Sequence, residues 1–233
     1  MKVNLVIPCY NEEESIKKLF ASLVTFSNEI DINFYILNNG STDGTLDIMK
    51  TFNERENIKF ISLKENKGYG YGVNYGLNYI KDADYIGWFH GDLQFDIRNL
   101  ENIYEIINSE FINENKQIFF KGIRTGRNFI SQLFSYFMGL FATLLLRKHF
   151  YEINAQPTIF SSALYDSLTD YPYDFSYDTY VYWVAKKNRY KFLRKKVTFP
   201  NRPYGTSKWD FGIYSKIQFS YKNLKYLSSL RQH

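Results

Sequence analysis

Residues 83–96 read ADYIGWFHGDLQFD. The first half is almost wholly apolar and too short for an ordinary helix, and it runs straight into His90, Asp92, Gln94 and Asp96. A short apolar run that closes in polar groups is the pattern of a strand buried on both faces, as in a parallel sheet. In open α/β sheets, ligands bind in the crevice beyond the carboxyl ends of the strands. The stretch therefore predicts a strand with a site at its end, and a cluster of acids and amides there suggests a metal.

The segments upstream carry the same rhythm. VNLVIP (3–8) is a β-branched run that Pro8 should stop, and NEEESIKKLFASLVTF (11–26) has acids first and then apolar residues at helical spacing, Ile16, Leu19, Phe20, Leu23 and Val24. Asn11 is placed to cap that helix. INFYILNN (32–39) is a second strand, LDIMKTFNE (46–54) a helix and IKFISLK (58–64) a third strand; GYGVNYGLNYI (70–80) opens a helix on glycines. Strand–helix alternation with near-continuous apolar strands predicts an α/β fold, a mostly parallel central sheet with helices on both faces.

Beyond residue 97 the rhythm loosens. LENIYEIINSEF (100–111) and YDTYVYWVAKKNRY (177–190) are helical, and QIFFKGIR (117–124) and KFLRKKVTF (191–199) are strands. With no linker, repeat or low-complexity tract, residues 1–211 read as one domain, its halves meeting near residue 97, followed by a C-terminal segment, 212–233. The length of 233 residues suits one such domain with a sizeable core. The single cysteine, Cys9, rules out an internal disulfide. Met1 leads into a strand with no secretory pattern, so the expected location is the cytoplasm. A net charge of +5 suits anionic substrates or an anionic membrane surface. Nucleic acid is not expected as a partner, because the basic residues are scattered among acids instead of gathered on one face.

Three turns precede the cluster at 90–96. PCYNEEES (8–15) is a helix entry; NNGSTDGT (38–45) crowds Asn39, Ser41, Thr42 and Asp43 at a strand end; NKGYGYG (66–72) places Gly68, Gly70 and Gly72 before a helix. Each alone also fits an ordinary solvated turn, and Asp43 a simple turn cap. Taken together, VIPCYNEEESI, NNGSTDGT, NKGYGYG and GDLQFD, in this order and spacing, resemble the nucleotide-sugar half of a family 2 glycosyltransferase of the GT-A fold. KGIRTGR (121–127), INAQPTIFS (153–161) and FPNRPYGTSKW (199–209) are similar to the acceptor half of the polyprenyl-phosphate, dolichol-phosphate mannosyltransferase-like subgroup. The resemblance spans about residues 3 to 209.

That resemblance implies a set of roles. Asp92 and Gln94 would hold a divalent cation, Mg²⁺ or Mn²⁺, bridging the donor diphosphate, and Asp92 would thereby be catalytic. Pro8, Tyr10, Glu12, Asn39, Asp43, Lys67, Gly68 and Gly72 would line the donor pocket, with Arg202, Ser207 and Lys208 folding over the phosphates and Arg202 thereby catalytic as well. Arg124, Arg127, Gln156 and Ser161 would serve the acceptor. Two residues depart from the family pattern: His90 stands where the first acid of an Asp-Ala-Asp-Leu-Gln run is usual, and Asn39 where an aspartate usually meets the nucleotide base. An amide donates as well as accepts, so base preference does not carry over. His90 is open between contact with the donor, support of the metal ligands and plain packing.

The implied reaction is an inverting transfer from a nucleoside-diphosphate sugar to a polyprenyl phosphate. A phosphate acceptor is already an anion and needs no base; a hydroxyl acceptor would, and Asp178 is then the candidate, although an acid at a helix start also needs no catalytic reason. The alternatives are transfer to a hydroxyl of a cell-surface or lipid-linked glycan, and a catalytically silent nucleotide-sugar binder. Residues 128–146 carry no charge, and Ser131, Ser135, Gly139 and Thr143 recur every four residues along them. That helix can be a core helix, a span or an interfacial helix. YSKIQFSYKNLKYLSSLR (214–231) is a basic amphipathic helix that would suit a membrane surface or pack on the core.

Overall fold

A computed structural model describes residues 1–26, 30–114, 116–127, 129–199, 222 and 225–230. Among these residues seven strands form one sheet: β1 (Val3–Cys9), β2 (Ile32–Asn39), β3 (Ile58–Leu63), β4 (Tyr85–Trp88), β5 (Ile118–Thr125), β6 (Thr158–Ser161) and β7 (Lys191–Thr198). The helices are α1 (Ile16–Phe26), α2 (Thr45–Lys50), α3 (Tyr69–Tyr79), α4 (Asn99–Ile112), α5 (Phe129–Leu146) and α6 (Ser176–Lys187).

The sheet order is β3-β2-β1-β4-β6-β5-β7. β3, β2, β1 and β4 run parallel, β6 lies antiparallel between β4 and β5, and β7 returns parallel to β5. Period-two alternation splits the core into two layers. Leu5, Ile7, Phe34, Ile36 and Phe120 pack on one face with Ile16, Leu19 and Leu100. Val6, Leu37, Trp88, Phe119 and Phe160 pack on the other with Val73, Tyr177 and Val181. Both faces of the sheet are covered, which is why its strands read as apolar runs.

Two local expectations are corrected. Pro8 does not stop β1: the strand continues to Cys9, with Pro8 in register with Leu37 of β2. β4 pairs with β1 only as far as Val6, so beyond that point β1 has one parallel neighbour and a proline is tolerated. Asn11 does not cap α1, which starts at Ile16. Its side-chain oxygen instead accepts from Thr42 N at 2.8 Å and its amide donates to Thr42 Oγ1 at 3.1 Å, tying the first turn to the second.

α5 turns its small residues inward. Gly139 meets the Phe150 carbonyl so closely that a Cβ would stand 2.8 Å from it, and Thr143 Oγ1 accepts from Phe150 N at 2.9 Å. Ile130, Leu133, Phe137, Leu140, Phe141 and Leu144, spaced along one stripe, are exposed. Of the C-terminal segment, residues 225–230 are described as helix, and there Leu227 and Leu230 are buried in the second core layer while Lys225 is exposed. The described part of that apolar face is thus spent on the core.

Candidate active site

The site sits where the parallel strands end. The turn after β1 and the turn after β2 are laced together: Glu12 N donates to Thr45 Oγ1 at 2.8 Å, and the Glu13 carboxylate accepts from Gly44 N at 2.8 Å. Asp43 serves this lacing with both oxygens. Oδ1 accepts from Thr45 N at 3.0 Å and from its hydroxyl at 2.6 Å, while Oδ2 accepts from Glu13 N at 3.3 Å. Glu12 Oε2 accepts from Ser15 Oγ at 2.7 Å. Pro8, Tyr10 and Glu12 are half-buried on the rim so formed.

Asn39 ends β2 and is buried. Its amide nitrogen donates to the Gly68 carbonyl at 3.3 Å, and its side-chain oxygen has no hydrogen-bond partner among the described residues. Gly72 lies against that oxygen; a Cβ there would be 2.4 Å away. Gly68 has φ +115°, a conformation glycine alone adopts readily, and leads into α3. Gly72 falls inside that helix and not in the loop before it. Lys67 is at the surface, 3.2 Å from Glu65.

Asp92 is buried beyond β4, and its Oδ1 accepts from Gln94 N at 3.1 Å, with Leu93 between them at φ 60°. Among the described residues no three His, Cys, Asp or Glu side chains are grouped to enclose a cation. One carboxylate and one amide still fit Mg²⁺ or Mn²⁺, because such hard cations are held by one or two protein carboxylates together with substrate phosphates. His90 points elsewhere: its Nε2 lies 3.0 Å from Tyr69 Oη and 3.2 Å from the Gln156 amide nitrogen. Trp88 Nε1 donates to the same Tyr69 oxygen at 2.8 Å, and burial, then the charge of Asp178, push the Tyr69 hydroxyl well above its ordinary range.

The second half of the chain supplies two ion clusters. Lys121 Nζ, fully buried, donates to Thr158 Oγ1 at 2.7 Å and to Asp178 Oδ1 at 3.3 Å. Burial pulls the Lys121 ammonium down to about 8, with Asp178 opposing the shift and Arg194 and Arg124 adding to it. Asp178 occupies the first turn of α6. At the end of β5, Arg124 Nε donates to Glu152 Oε2 at 2.7 Å, and the Arg127 guanidinium lies 3.7 Å from the other Glu152 oxygen. Both arginines donate to Ser135 Oγ on α5, at 3.2 and 2.8 Å. Burial, then the neighbouring Arg124, lower Arg127 to about 10. A cavity of about 140 Å³ opens beside them, lined also by Ser131, Phe134, Met138 and Asn154. Among the described residues two cations share one carboxylate there, leaving one positive charge over.

Ser161 does not join this site. β6 runs antiparallel, so Thr158 pairs with Trp88 near the site while Ser161 pairs with Tyr85 at the opposite end of β4. Its hydroxyl accepts from Ile118 N at 3.2 Å. Gln156, just before β6, does face the site through His90. Arg202, Ser207 and Lys208 lie outside the described residues. Lys121, Tyr69 and Glu152 were not anticipated, although a lysine inside the apolar run IFFKGI was a visible signal for the first.

Comparison with known proteins points the same way. A family model described as Glycosyl transferase family 2 matches residues 4–171. The glycosyltransferase GlyA of Streptococcus pneumoniae is 26% identical over 180 residues, covering 72% of this chain and 25% of that protein. The poly-beta-1,6-N-acetyl-D-glucosamine synthase of Staphylococcus epidermidis is 30% identical over 83 residues, covering 36% of this chain and 19% of its own. The chain spans about a fifth to a quarter of the length of the relatives it matches. Among solved structures, glucosyl-3-phosphoglycerate synthase from Mycobacterium tuberculosis, in complex with Mn²⁺, uridine diphosphate and glucosyl-3-phosphoglycerate, aligns with a TM-score of 0.70 over 99% of this chain and 79% of that chain. The identity is 13%, so the likeness is one of fold.

Proposed function

The chain belongs to glycosyl transferase family 2, and from that premise we propose that it transfers a sugar from a nucleoside-diphosphate donor to a polyprenyl phosphate. The observation that carries the acceptor class is the placement of Arg124 and Arg127. They border a cavity at the inner side of α5, a helix whose outer stripe is apolar and exposed. An amphiphile with a phosphate head and a hydrocarbon tail suits that arrangement, since a guanidinium pairs with two phosphate oxygens at once.

In this reading Pro8, Tyr10, Glu12, Asn39 and the turn from Lys67 to Gly72 border the nucleotide. Asp92 and Gln94 would hold Mg²⁺ or Mn²⁺, which would supply positive charge against the negative charge gathering on the departing nucleoside diphosphate. An acceptor phosphate oxygen attacks the anomeric carbon from the opposite face; the bond to the diphosphate breaks, and the electron pair leaves with it. The protein contributes position and charge complementarity, and no base is required.

The outer stripe of α5 is proposed to lie in the cytoplasmic face of the membrane, where the lipid acceptor resides. Arg147 and Lys148, exposed at the end of α5, suit anionic head groups there.

One observation favours a second reading, transfer to a hydroxyl of a cell-surface glycan: Asp178 is a carboxylate inside the site, and the relative from Staphylococcus epidermidis is named for polysaccharide synthesis. The test is an assay with UDP- and GDP-sugars, Mn²⁺, and either undecaprenyl phosphate in vesicles or oligosaccharide acceptors. Transfer to the lipid phosphate is expected. Transfer only to oligosaccharide would overturn the acceptor class, and nucleotide binding without any transfer would favour a silent binder.

A further inference from the structure

A lysine with no exposed surface is the least expected residue in the molecule. Lys121 sits in β5 between Phe120 and Gly122, and among the described residues its ammonium donates to Thr158 on β6 and Asp178 on α6. A buried ion pair is weak evidence for stability, because the desolvation of both charges offsets their attraction. Breaking such a pair on one side leaves an uncompensated buried charge, which is the costly case. The question is what the pair holds in place.

Asp178 also lies beside the Tyr69 hydroxyl, whose proton its charge, after burial, holds more tightly, and the residue before it ties α6 to α3, Tyr177 Oη donating to Asn74 Oδ1 at 2.9 Å. Tyr69 opens α3 directly after Gly68, stacks on Phe175 at a centroid distance of 4.4 Å, accepts from Trp88 and meets His90 Nε2 at 3.0 Å. His90 stands two residues before Asp92. A continuous set of contacts thus runs from the second half of the chain into the two turns that border the proposed donor site. Its members are Lys121, Asp178, Tyr69 and His90. Arg194 on β7 and Arg124 on β5 add positive charge near Lys121, so Asp178 is what keeps a cation acceptable there.

We propose that Lys121 is a positioning residue for the donor site. By holding Asp178 as a charge-balanced carboxylate, it fixes Tyr69, and with it the glycine-rich turn and the His90–Asp92 turn, in the arrangement that receives a nucleoside diphosphate and its cation. The inference rests on the nucleotide-sugar reading above but not on the identity of the acceptor. It assigns Lys121 no contact with substrate.

The experiment is calorimetric binding of UDP and of GDP, each with Mn²⁺, to the wild type, Lys121→Met and Lys121→Met/Asp178→Asn. Methionine keeps the side chain as far as Cε without the ammonium, and asparagine keeps the shape of the carboxylate while removing its charge. The single variant is expected to bind at least about 10-fold more weakly, and the double variant to return within about 3-fold of the wild type, the signature of a coupled pair. Should Lys121→Met fail to fold, a double variant that folds and binds carries the same conclusion. A double variant as weak as the single one would overturn the proposal, since the lysine would then act by packing and not by balancing charge. A wild type that binds neither nucleotide would overturn the donor reading and this inference with it, an outcome distinct from the previous one because there the wild type binds.

Discussion

Gly72 on α3 stands against the side-chain oxygen of Asn39 at the end of β2, at a separation that would put a Cβ only 2.4 Å from that oxygen. The helix can approach the strand end because residue 72 has no side chain. Gly72→Ala is therefore expected to push α3 outward or turn the Asn39 amide away from Gly68. Overpacking of this kind costs about 1–3 kcal/mol, and a thermal melt should register it. The local displacement should weaken UDP or GDP binding by about 10-fold or more, as calorimetry would measure. Undiminished nucleotide binding would remove Asn39 and Gly72 from the donor pocket.

Asp92 and Gln94 form the proposed cation site, and their removal should be read in metal dependence. Asp92→Ala is expected to abolish the enhancement of nucleotide binding by Mn²⁺, while Gln94→Ala weakens it, because a charged ligand contributes more than a neutral one. Calorimetric titrations with and without Mn²⁺ check both. Equal Mn²⁺ dependence in the wild type and Asp92→Ala would place the cation elsewhere.

The donor half of this fold was legible because four apolar runs with helices between them have one economical arrangement, a parallel sheet, whose carboxyl ends then gather the turns. The acceptor half was less so. Ser161 was expected beside Gln156, but β6 reverses direction, and over the rise of a strand, about 3.3 Å per residue, the chain leaves the site before Ser161. Asn11 looked like a helix cap; only the folded turn reveals Thr42 as its partner. Asp43 fitted either a ligand contact or a turn cap, and its oxygens are engaged by Thr45 and Glu13. Lys121 stands out in the sequence as a lysine inside an apolar strand, but its partner does not, and Glu152 carries no local signal at all: Asp178 and Arg124 lie 57 and 28 positions away from them. Contacts at such separations follow from topology, not from local pattern.

The outer stripe of α5 makes a prediction that separates membrane binding from folding. Leu133, Phe137 and Phe141 are exposed, so replacing all three with serine should change the free energy of unfolding by no more than about 0.5 kcal/mol per site, as urea unfolding would measure. Each side chain moved from water into lipid contributes about 1.5–3 kcal/mol, so flotation with anionic vesicles should fall from most of the protein to little of it. A triple variant that floats like the wild type would mean that this stripe does not meet the membrane.

Lys121 gives a pH signature in stability. Its folded value, about 8, lies below the ordinary 10.5, so between these values the unfolded chain holds the proton more tightly. Where the unfolded state binds more protons, stability rises with pH. The sign is thus positive through that window: the cost of the buried ammonium is fully present below about pH 8 and is relieved as pH climbs towards 10.5. Comparing urea unfolding of the wild type and Lys121→Met between about pH 7.5 and 9.5 should show the wild type gaining stability relative to the variant. Parallel curves would mean that Lys121 does not lose its proton in this range.

Arg124 tests the acceptor class by geometry more than by charge. Its planar group reaches Glu152 through Nε and Ser135 through Nη2 at once. Lysine keeps the charge but not the fork, so Arg124→Lys should retain the balance with Glu152 and lose the bidentate grip on a phosphate. The expected result is a KM for polyprenyl phosphate raised by about 10-fold, with nucleotide affinity unchanged, because the donor turns lie on other strands. Asp178→Asn completes the comparison: with a phosphate acceptor, kcat should change little at saturating donor, whereas a hydroxyl acceptor deprived of its base loses about 10²-fold or more. Steady-state kinetics of the two variants therefore read opposite sides of one question. An enzyme indifferent to Arg124→Lys but crippled in kcat by Asp178→Asn, with donor binding intact, would be a hydroxyl glycosyltransferase.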